Sequence, residues 1–240
     1  ALVLKLAFKE NDLDTAHLYL NLQNSAKISR LVPSVIDITS RFQPERKRVE
    51  NFIKRIYKNF YNADISVDYP VLMSVRDANG TIMAALGIRY ACSENLFLEQ
   101  YTQAPIDDIL STPRNQIAEI GNLASAGRGA SVFLFAALSS YLKNKDIQIA
   151  AMTGTENLHR SFEKMGIHMR KICDADVKSL KGVKDNWGSY YDAQPRVIYG
   201  LVEEGVERFK EALGAEFKAC RPRLYPRLHY ISKHSNHTQK

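Results

Sequence analysis

The stretch Gln116-Ile-Ala-Glu-Ile-Gly-Asn-Leu-Ala-Ser-Ala-Gly-Arg-Gly-Ala-Ser131 decides the fold of this 240-residue chain. Its first five residues predict a strand, and the mostly apolar run from Ser131 to Lys143 predicts a buried helix. Between them lies a turn of small residues at 125–130, where backbone N–H groups can approach a phosphate beside a positive helix N-terminus. The turn is predicted either to hold a pyrophosphate or phosphopantetheine phosphate, or to need its glycines only for their φ angles.

The flanking segments predict an α/β fold with a mixed sheet. Runs at 71–75 and 81–89 flank an Asn-Gly pair, which favours an antiparallel hairpin. Strands at 147–152 and 167–172 alternate with a helix at 158–165, and this order predicts parallel pairing through crossover helices. The other predicted elements are a helix over 14–31, a strand over 35–38, helices over 45–60 and 106–110, and a helix after Tyr199. The chain divides accordingly into an N-terminal extension at 1–43, a core domain at 44–200, and a C-terminal helix with a basic tail at 201–240.

The composition indicates a soluble globular protein, with 45% hydrophobic and 25% charged residues. No apolar run reaches the roughly 18 residues of a membrane span, and no secretory signal is recognisable. Three scattered cysteines fit reduced thiols, so we expect a cytoplasmic protein, with secretion as the alternative. The net charge of +7 favours an acidic partner, such as an anionic membrane surface or a phosphorylated small molecule or carrier protein. Nucleic acid is not expected, because the basic clusters lack interleaved aromatic residues.

Three polar residues near the deciding stretch are candidates for chemistry. Glu119 lies on a mostly apolar strand, where desolvation would raise the pKa of its carboxyl towards that of a general base at neutral pH. The alternative is that strand alternation points it to solvent or to an arginine. Glu99 is a second candidate acid or base, or else a salt-bridge partner of an arginine. Asn122 stands next to the turn and is a candidate for orienting a substrate carbonyl.

An aromatic cluster follows at Trp187-Gly-Ser-Tyr-Tyr191. The cluster is predicted either to wall an acyl channel, with Trp187 as a substrate-contacting residue, or to supply a proton donor in Tyr190 or Tyr191. The alternative is core packing with the hydroxyls satisfied at the edge. No two histidines have metal-ligand spacing on a clear helix, so no metal is expected.

Three motifs together resemble one bacterial family. Phe97-Leu-Glu-Gln-Tyr101, Glu119-Ile-Gly-Asn-Leu-Ala124 and Trp187-Gly-Ser-Tyr-Tyr191, the last followed by Pro195-Arg-Val197, resemble the thermostable hemolysins of vibrios and their relatives. The resemblance covers roughly 49–200. That family is distantly similar to the GNAT acyltransferases and to acyl-homoserine-lactone synthases, which implies a GNAT-like sheet that is antiparallel first and then parallel.

The resemblance also implies an activity and a cofactor. It predicts transfer of an acyl group from acyl-CoA or acyl carrier protein to an amine, with Glu119 as base and the carrier at the 125–130 turn. The predicted cofactor-binding residues are Leu123, Ala124, Gly127, Arg128, Gly129, Ala130, Ser131 and Asn157. The turn departs from the fuller Arg/Gln-x-x-Gly-x-Gly/Ala signature of acetyltransferases. The alternative function is a toxin that reaches anionic membranes through the basic helix at 45–60 and the tail.

Overall fold

The computed structural model describes residues 2–29, 31–181 and 185–220, and the predicted basic tail beyond 220 lies outside them. Within these residues ten strands form one mixed sheet. The strands are β1 (Val3–Glu10), β2 (Leu13–Asn21), β3 (Val35–Ser40), β4 (Val71–Arg76), β5 (Ile82–Tyr90), β6 (Ile117–Ser125), β7 (Ile149–Gly154), β8 (Arg170–Asp174), β9 (Arg196–Leu201) and β10 (Glu216–Ala219). The helices are α1 (Leu22–Ile28), α2 (Arg46–Tyr61), α3 (Ile106–Leu110), α4 (Ala130–Asn144), α5 (Glu156–Lys164) and α6 (Val202–Leu213).

The strand order is β10-β2-β1-β3-β4-β5-β6-β7-β9-β8, and the pairs β1–β3 and β6–β7 are parallel while the others are antiparallel. The predicted α/β class is therefore confirmed, with an antiparallel β4–β5–β6 part followed by a parallel β6–β7 pair. The predicted hairpin is also confirmed. Its turn is fixed by Asp77, whose carboxylate accepts hydrogen bonds from the backbone N–H groups of Asn79 and Thr81.

Helices cover both faces of the sheet, which is why β4 and β5 are buried on both sides. Side chains alternate along a strand, so Met73 and Val75 pack in the core cluster that contains α4 and α6. Leu72, the neighbour of Met73 along the strand, packs with α2 on the opposite face. The helix α4 is buried on almost all sides because it lies between the sheet and α6.

The prediction of a helix over 14–31 is wrong. Most of this segment is β2, in which Ala16, Leu18 and Leu20 are buried and alternate with half-buried His17 and Tyr19. A period of two indicates a strand, and the helix α1 starts only after Asn21, whose side chain caps it. The strand β1, which pairs with β2, was not predicted.

The prediction of parallel pairing is confirmed for β6–β7, but it is wrong for β7 and β8, which do not pair with each other. The strand β9 lies between β7 and β8 and is antiparallel to both. Its sequence, Arg196–Leu201, follows a proline and was not predicted to be a strand. In the part of the chain that the structure describes, no helix is long and apolar enough to cross a membrane.

Candidate functional site

The site lies where two neighbouring strands separate. β6 and β7 pair in parallel only from Ile117 to Ile120 on β6, opposite Ile149 to Met152. Beyond that point β6 continues to Ser125 and pairs with β5 alone. The β5–β6 register shifts here, and Asn122 adopts a φ of 48° at the irregularity. The split and the bulge open the sheet at its centre.

A groove runs along the split between β6 and β7. It is walled by residues of α2, β6, α4, β7 and α5. Among the residues predicted to bind a cofactor, Leu123, Ser131 and Asn157 line this groove. Ala124 does not, because its side chain is buried in the cluster under α2.

The turn at 125–130 stands at the end of the groove and leads into α4. Among the described residues, the backbone N–H groups of Arg128, Gly129 and Ser131 make no hydrogen bond within the protein. The N–H of Gly127 is held by the Ser125 hydroxyl, and Ala130 is fully buried. Three free N–H groups at the N-terminus of a 15-residue helix suit an anion such as a phosphate.

The two glycines of the turn differ in what they require. Both have positive φ, 84° at Gly127 and 81° at Gly129, a conformation that glycine adopts without strain. A Cβ on Gly127 would meet open space, whereas a Cβ on Gly129 would lie 2.6 Å from the carbonyl oxygen of Ile28 in α1. The second glycine therefore also serves packing against the N-terminal segment.

On the other side of the bulge lies an aromatic cavity. It is lined by seven aromatic side chains together with polar groups from β5, β6 and β7. The aromatic residues are Tyr57, Tyr69, Phe97, Tyr101, Trp187, Tyr190 and Tyr191. The groove and the aromatic cavity share Gly121, Asn122 and Thr153, so the two spaces meet at the bulge.

Some residues that line this cavity carry buried polar atoms that make no hydrogen bond. Among the described residues, buried side-chain atoms that make no hydrogen bond include Asn122 Oδ1, Thr153 Oγ1, Trp187 Nε1 and Arg89 Nε. All four residues line the aromatic cavity. Buried polar atoms are almost always hydrogen-bonded, so a cluster of free ones indicates a place for a polar ligand. Both donors and acceptors are present, so a ligand that offers both would satisfy them.

Glu119 lies on β6 directly behind the cavity, with only 1% of its surface exposed. Its two oxygens accept hydrogen bonds from the backbone N–H groups of Phe97, at 2.8 Å, and Leu98, at 2.9 Å. Arg89 is 3.7 Å away. Burial raises the pKa of the Glu119 carboxyl to about 7, although Arg89, the two N–H groups and the Tyr69 hydroxyl lower it.

Glu99 is placed outside the aromatic cavity and the groove. Its carboxylate accepts hydrogen bonds from the N–H groups of Leu96 and Ile106, and Arg114 binds it at 2.7 Å. Although burial opposes the shift, these partners lower the pKa of the Glu99 carboxyl. The structure therefore gives Glu99 the arginine partner of the alternative interpretation, and its hydrogen bonds to Leu96 and Ile106 hold the two ends of this loop together.

The two tyrosines of the aromatic cluster occupy different positions. Tyr190 lines both the groove and the aromatic cavity, and its hydroxyl donates to the carbonyl oxygen of Thr153 at 3.3 Å. The Tyr191 hydroxyl shares a short hydrogen bond with the Tyr101 hydroxyl. Burial raises the pKa of both Tyr190 and Tyr191, so both stay protonated at neutral pH.

Sequence reasoning missed Tyr69 and Arg89, which also line the aromatic cavity. Arg89 lies over the Tyr69 ring, 4.8 Å from its centroid. One signal was available: Gly87 and Gly121 interrupt two strands, and a glycine inside a strand often marks a close approach by another group. Both glycines face Tyr69. Metal ligands were not predicted, and the described residues contain no cluster that would hold a metal.

A model of the thermostable hemolysin family matches residues 39–206 of the chain. No curated protein sequence matches it. Among solved structures, it is similar to BjaI, a CoA-dependent acyl-homoserine lactone synthase solved with SAM and isopentyl-CoA. The identity is 10%, the match covers 75% of this chain and 89% of that chain, and the TM-score is 0.53.

Two further structures have the same architecture. One is TofI in a ternary complex with an inhibitor and MTA, at 12% identity, 73% of this chain, 96% of that chain and a TM-score of 0.51. The other is FeeM, an N-acyl amino acid synthase from uncultured soil microbes, at 14% identity, 73% and 99% coverage and a TM-score of 0.51. These likenesses establish the fold, and the predicted GNAT-like sheet is confirmed.

Proposed function

The chain belongs to the thermostable hemolysin family, and on that premise we propose that it transfers an acyl group from a phosphopantetheine thioester to an amine. The observation that carries the proposal is the meeting of two spaces at the β6 bulge. The groove ends at free N–H groups that suit a phosphate, and the aromatic cavity holds free polar atoms for a second ligand. A reaction that joins two substrates needs this arrangement.

The groove is the proposed site of the thioester donor. Its floor and walls are largely apolar, as the arm and acyl chain of the donor require, and Ser131 and Asn157 provide polar contacts. The phosphate would lie at the N-terminus of α4, beside the N–H groups of Arg128 and Gly129. Acyl-CoA and acyl carrier protein present the same phosphopantetheine arm, and BjaI, which has this fold, is CoA-dependent.

The aromatic cavity is the proposed site of the acceptor amine. Asn122 Oδ1 accepts a hydrogen bond, as an amine N–H would supply, and Trp187 Nε1 donates one. Arg89 and the Trp187 indole would bind an oxygen of the acceptor. The aromatic walls exclude water and pack against its apolar part.

The reaction requires removal of a proton from the attacking amine. The amine nitrogen forms a bond to the thioester carbonyl carbon, the C–S bond breaks, and the thiolate leaves with its electron pair and takes a proton from solvent. Glu119, with a carboxyl pKa of about 7, is the proposed final acceptor of the amine proton. Tyr190 lines both spaces, and its hydroxyl would exchange its hydrogen bond to the Thr153 carbonyl oxygen for one to the departing sulfur.

Calorimetric titration with acetyl-CoA, long-chain acyl-CoA and an acyl carrier protein thioester tests the donor site. Ser131→Asp should weaken binding about tenfold or more, because it places a negative charge beside the phosphate while an acidic residue suits a helix N-terminus. Ser131→Asn is the matched uncharged control and should bind within about threefold of wild type. Failure of the wild type to bind any of these thioesters would overturn the proposal.

The membrane hypothesis rests on the basic helix at 45–60 and on the tail. The tail beyond 220 lies outside the described residues, and the basic side chains of α2 differ in their surroundings. Arg46 is buried and donates to the carbonyl oxygens of 67, 69 and 70. Lys58 pairs with Asp64, while Lys54 and Arg55 are exposed. Dye release from anionic vesicles separates the two functions: leakage without any thioester would favour direct membrane action.

A further inference from the structure

Two glycines form a slot for one tyrosine. Gly87 on β5 and Gly121 on β6 are directly paired across the two strands. A Cβ on Gly87 would overlap the base of the Tyr69 ring, and a Cβ on Gly121 would overlap its hydroxyl. Glycine weakens the interior of a strand. The two glycines therefore indicate that the Tyr69 side chain is required in this position.

Other contacts hold Tyr69 in this slot. The buried guanidinium of Arg46 donates to its carbonyl oxygen at 2.6 Å, which fixes the backbone. On the side chain, the guanidinium of Arg89 lies against the ring. The hydroxyl thereby lies over Gly121, two residues along β6 from Glu119, and the same Arg89 that lies over the Tyr69 ring is 3.7 Å from the Glu119 carboxylate.

Glu119 does not itself line the aromatic cavity, but Tyr69 does. The Glu119 oxygens already accept the N–H groups of Phe97 and Leu98. A proton that leaves a ligand in the cavity therefore needs an intermediate group to reach this carboxylate. Within the described residues, Arg89 from β5, Tyr57 from α2 and Tyr101 after the 3-10 helix Phe97–Gln100 line the same cavity as Tyr69, as do Asp68 and Asp185.

We propose that the Tyr69 hydroxyl relays the proton of the acceptor amine to Glu119. This inference rests on the proposed acyl transfer. As the amine nitrogen bonds to the carbonyl carbon, its proton passes to the Tyr69 oxygen while the Tyr69 proton passes to a Glu119 oxygen. Tyr69 ends neutral, Glu119 ends protonated and later releases the proton to solvent, and the C–S bond breaks as described above.

Tyr69→Phe is the direct test, because phenylalanine fills the same slot and lacks only the hydroxyl. We expect kcat to fall about 100-fold with the donor Kd within about threefold of wild type. Tyr90→Phe is the matched control, since Tyr90 is a half-buried tyrosine at the end of β5 that lines neither the groove nor the aromatic cavity. It should keep wild-type kcat.

A second readout does not depend on turnover. Carbon-13 NMR of the Glu119 carboxyl should give a higher pKa in Tyr69→Phe than in wild type, because a hydrogen-bond donor is lost. If Tyr69→Phe does not fold, 3-fluorotyrosine at position 69 preserves the hydroxyl and should shift the pH dependence of kcat, because its phenol is more acidic.

The outcomes separate the two proposals. A wild-type protein that transfers no acyl group to any amine overturns the proposed function and the relay with it. An active wild type whose Tyr69→Phe variant retains kcat within threefold overturns the relay alone, as does an unchanged pH dependence with 3-fluorotyrosine.

Discussion

Glu119 and Glu99 have similar local surroundings and opposite properties. Each accepts hydrogen bonds from two backbone N–H groups in or beside the segment 96–106. Glu99 has Arg114 at 2.7 Å and a side chain that is 15% exposed, whereas Glu119 has Arg89 only at 3.7 Å and is 1% exposed. The pKa of Glu99 is lowered and that of Glu119 is raised. The hydrogen bonds from two N–H groups are common to both sites, so they do not explain the difference in pKa. The difference follows from the exposure of the carboxyl to water and from its distance to a guanidinium.

The largest expected effect comes from removing the charge of each carboxylate in turn. Glu119→Gln should lower kcat by about 10²- to 10⁴-fold, because the general base is lost. Glu99→Gln should keep kcat within about threefold, because Glu99 faces neither substrate space, and should lower stability instead. Thioester turnover and thermal unfolding of both variants give the comparison. Equal losses of kcat would show that the two carboxylates do not divide their roles in this way.

A smaller effect is expected in the pH dependence of stability. The folded pKa of Glu119, about 7, exceeds the unfolded value near 4.5, so the native state binds the proton more tightly. The contribution of Glu119 to the free energy of unfolding is fully present below pH 4.5 and is lost as pH rises through 7. The loss is about 3 kcal/mol at most. Urea unfolding of wild type and Glu119→Gln across pH 4–8 should show this slope only in the wild type. Parallel curves would contradict the raised pKa.

Glu99 should show the opposite sign and a smaller size. Its lowered pKa gives a contribution that is present above its unfolded pKa and is lost as pH falls through the folded value. Arg114→Met should cost about 1–2 kcal/mol at pH 7 and less in acid, because both partners are partly exposed. Arg160→Met breaks an exposed pair with Glu156 and should cost under about 0.5 kcal/mol. If Arg114→Met lowers the free energy of unfolding no more than Arg160→Met does, then Arg114 does not stabilise the Glu99 carboxylate as the comparison requires.

The sequence allowed the centre of the fold to be predicted because its signals there are local. An Asn-Gly pair defines the β4–β5 hairpin, and apolar runs define β6 and α4. The predictions failed towards the two edges of the sheet for a different reason. The strand β9 follows Pro195, and β2 carries the alternation of a strand inside a segment of high helix propensity.

The burial of Glu119 was predictable, because one residue and its apolar neighbours carried the signal. A carboxylate on an apolar strand indicated Glu119, and the structure buries it. Tyr69 was not predictable, because its position depends on the pairing of Gly87 with Gly121, which are 34 residues apart in the chain. The sequence contains both glycines but not the register that brings them together.

The contact between Gly129 and the Ile28 carbonyl oxygen has a consequence for mutagenesis. Ile28 and Ser29 line neither substrate space, yet they pack so closely against Gly129 that a side chain there would clash with them. In a random screen for loss of activity, hits at 28 and 29 would therefore group with those in the turn. A map of how well each position tolerates substitution would therefore show 28 and 29 to be as sensitive as the turn at 125–130.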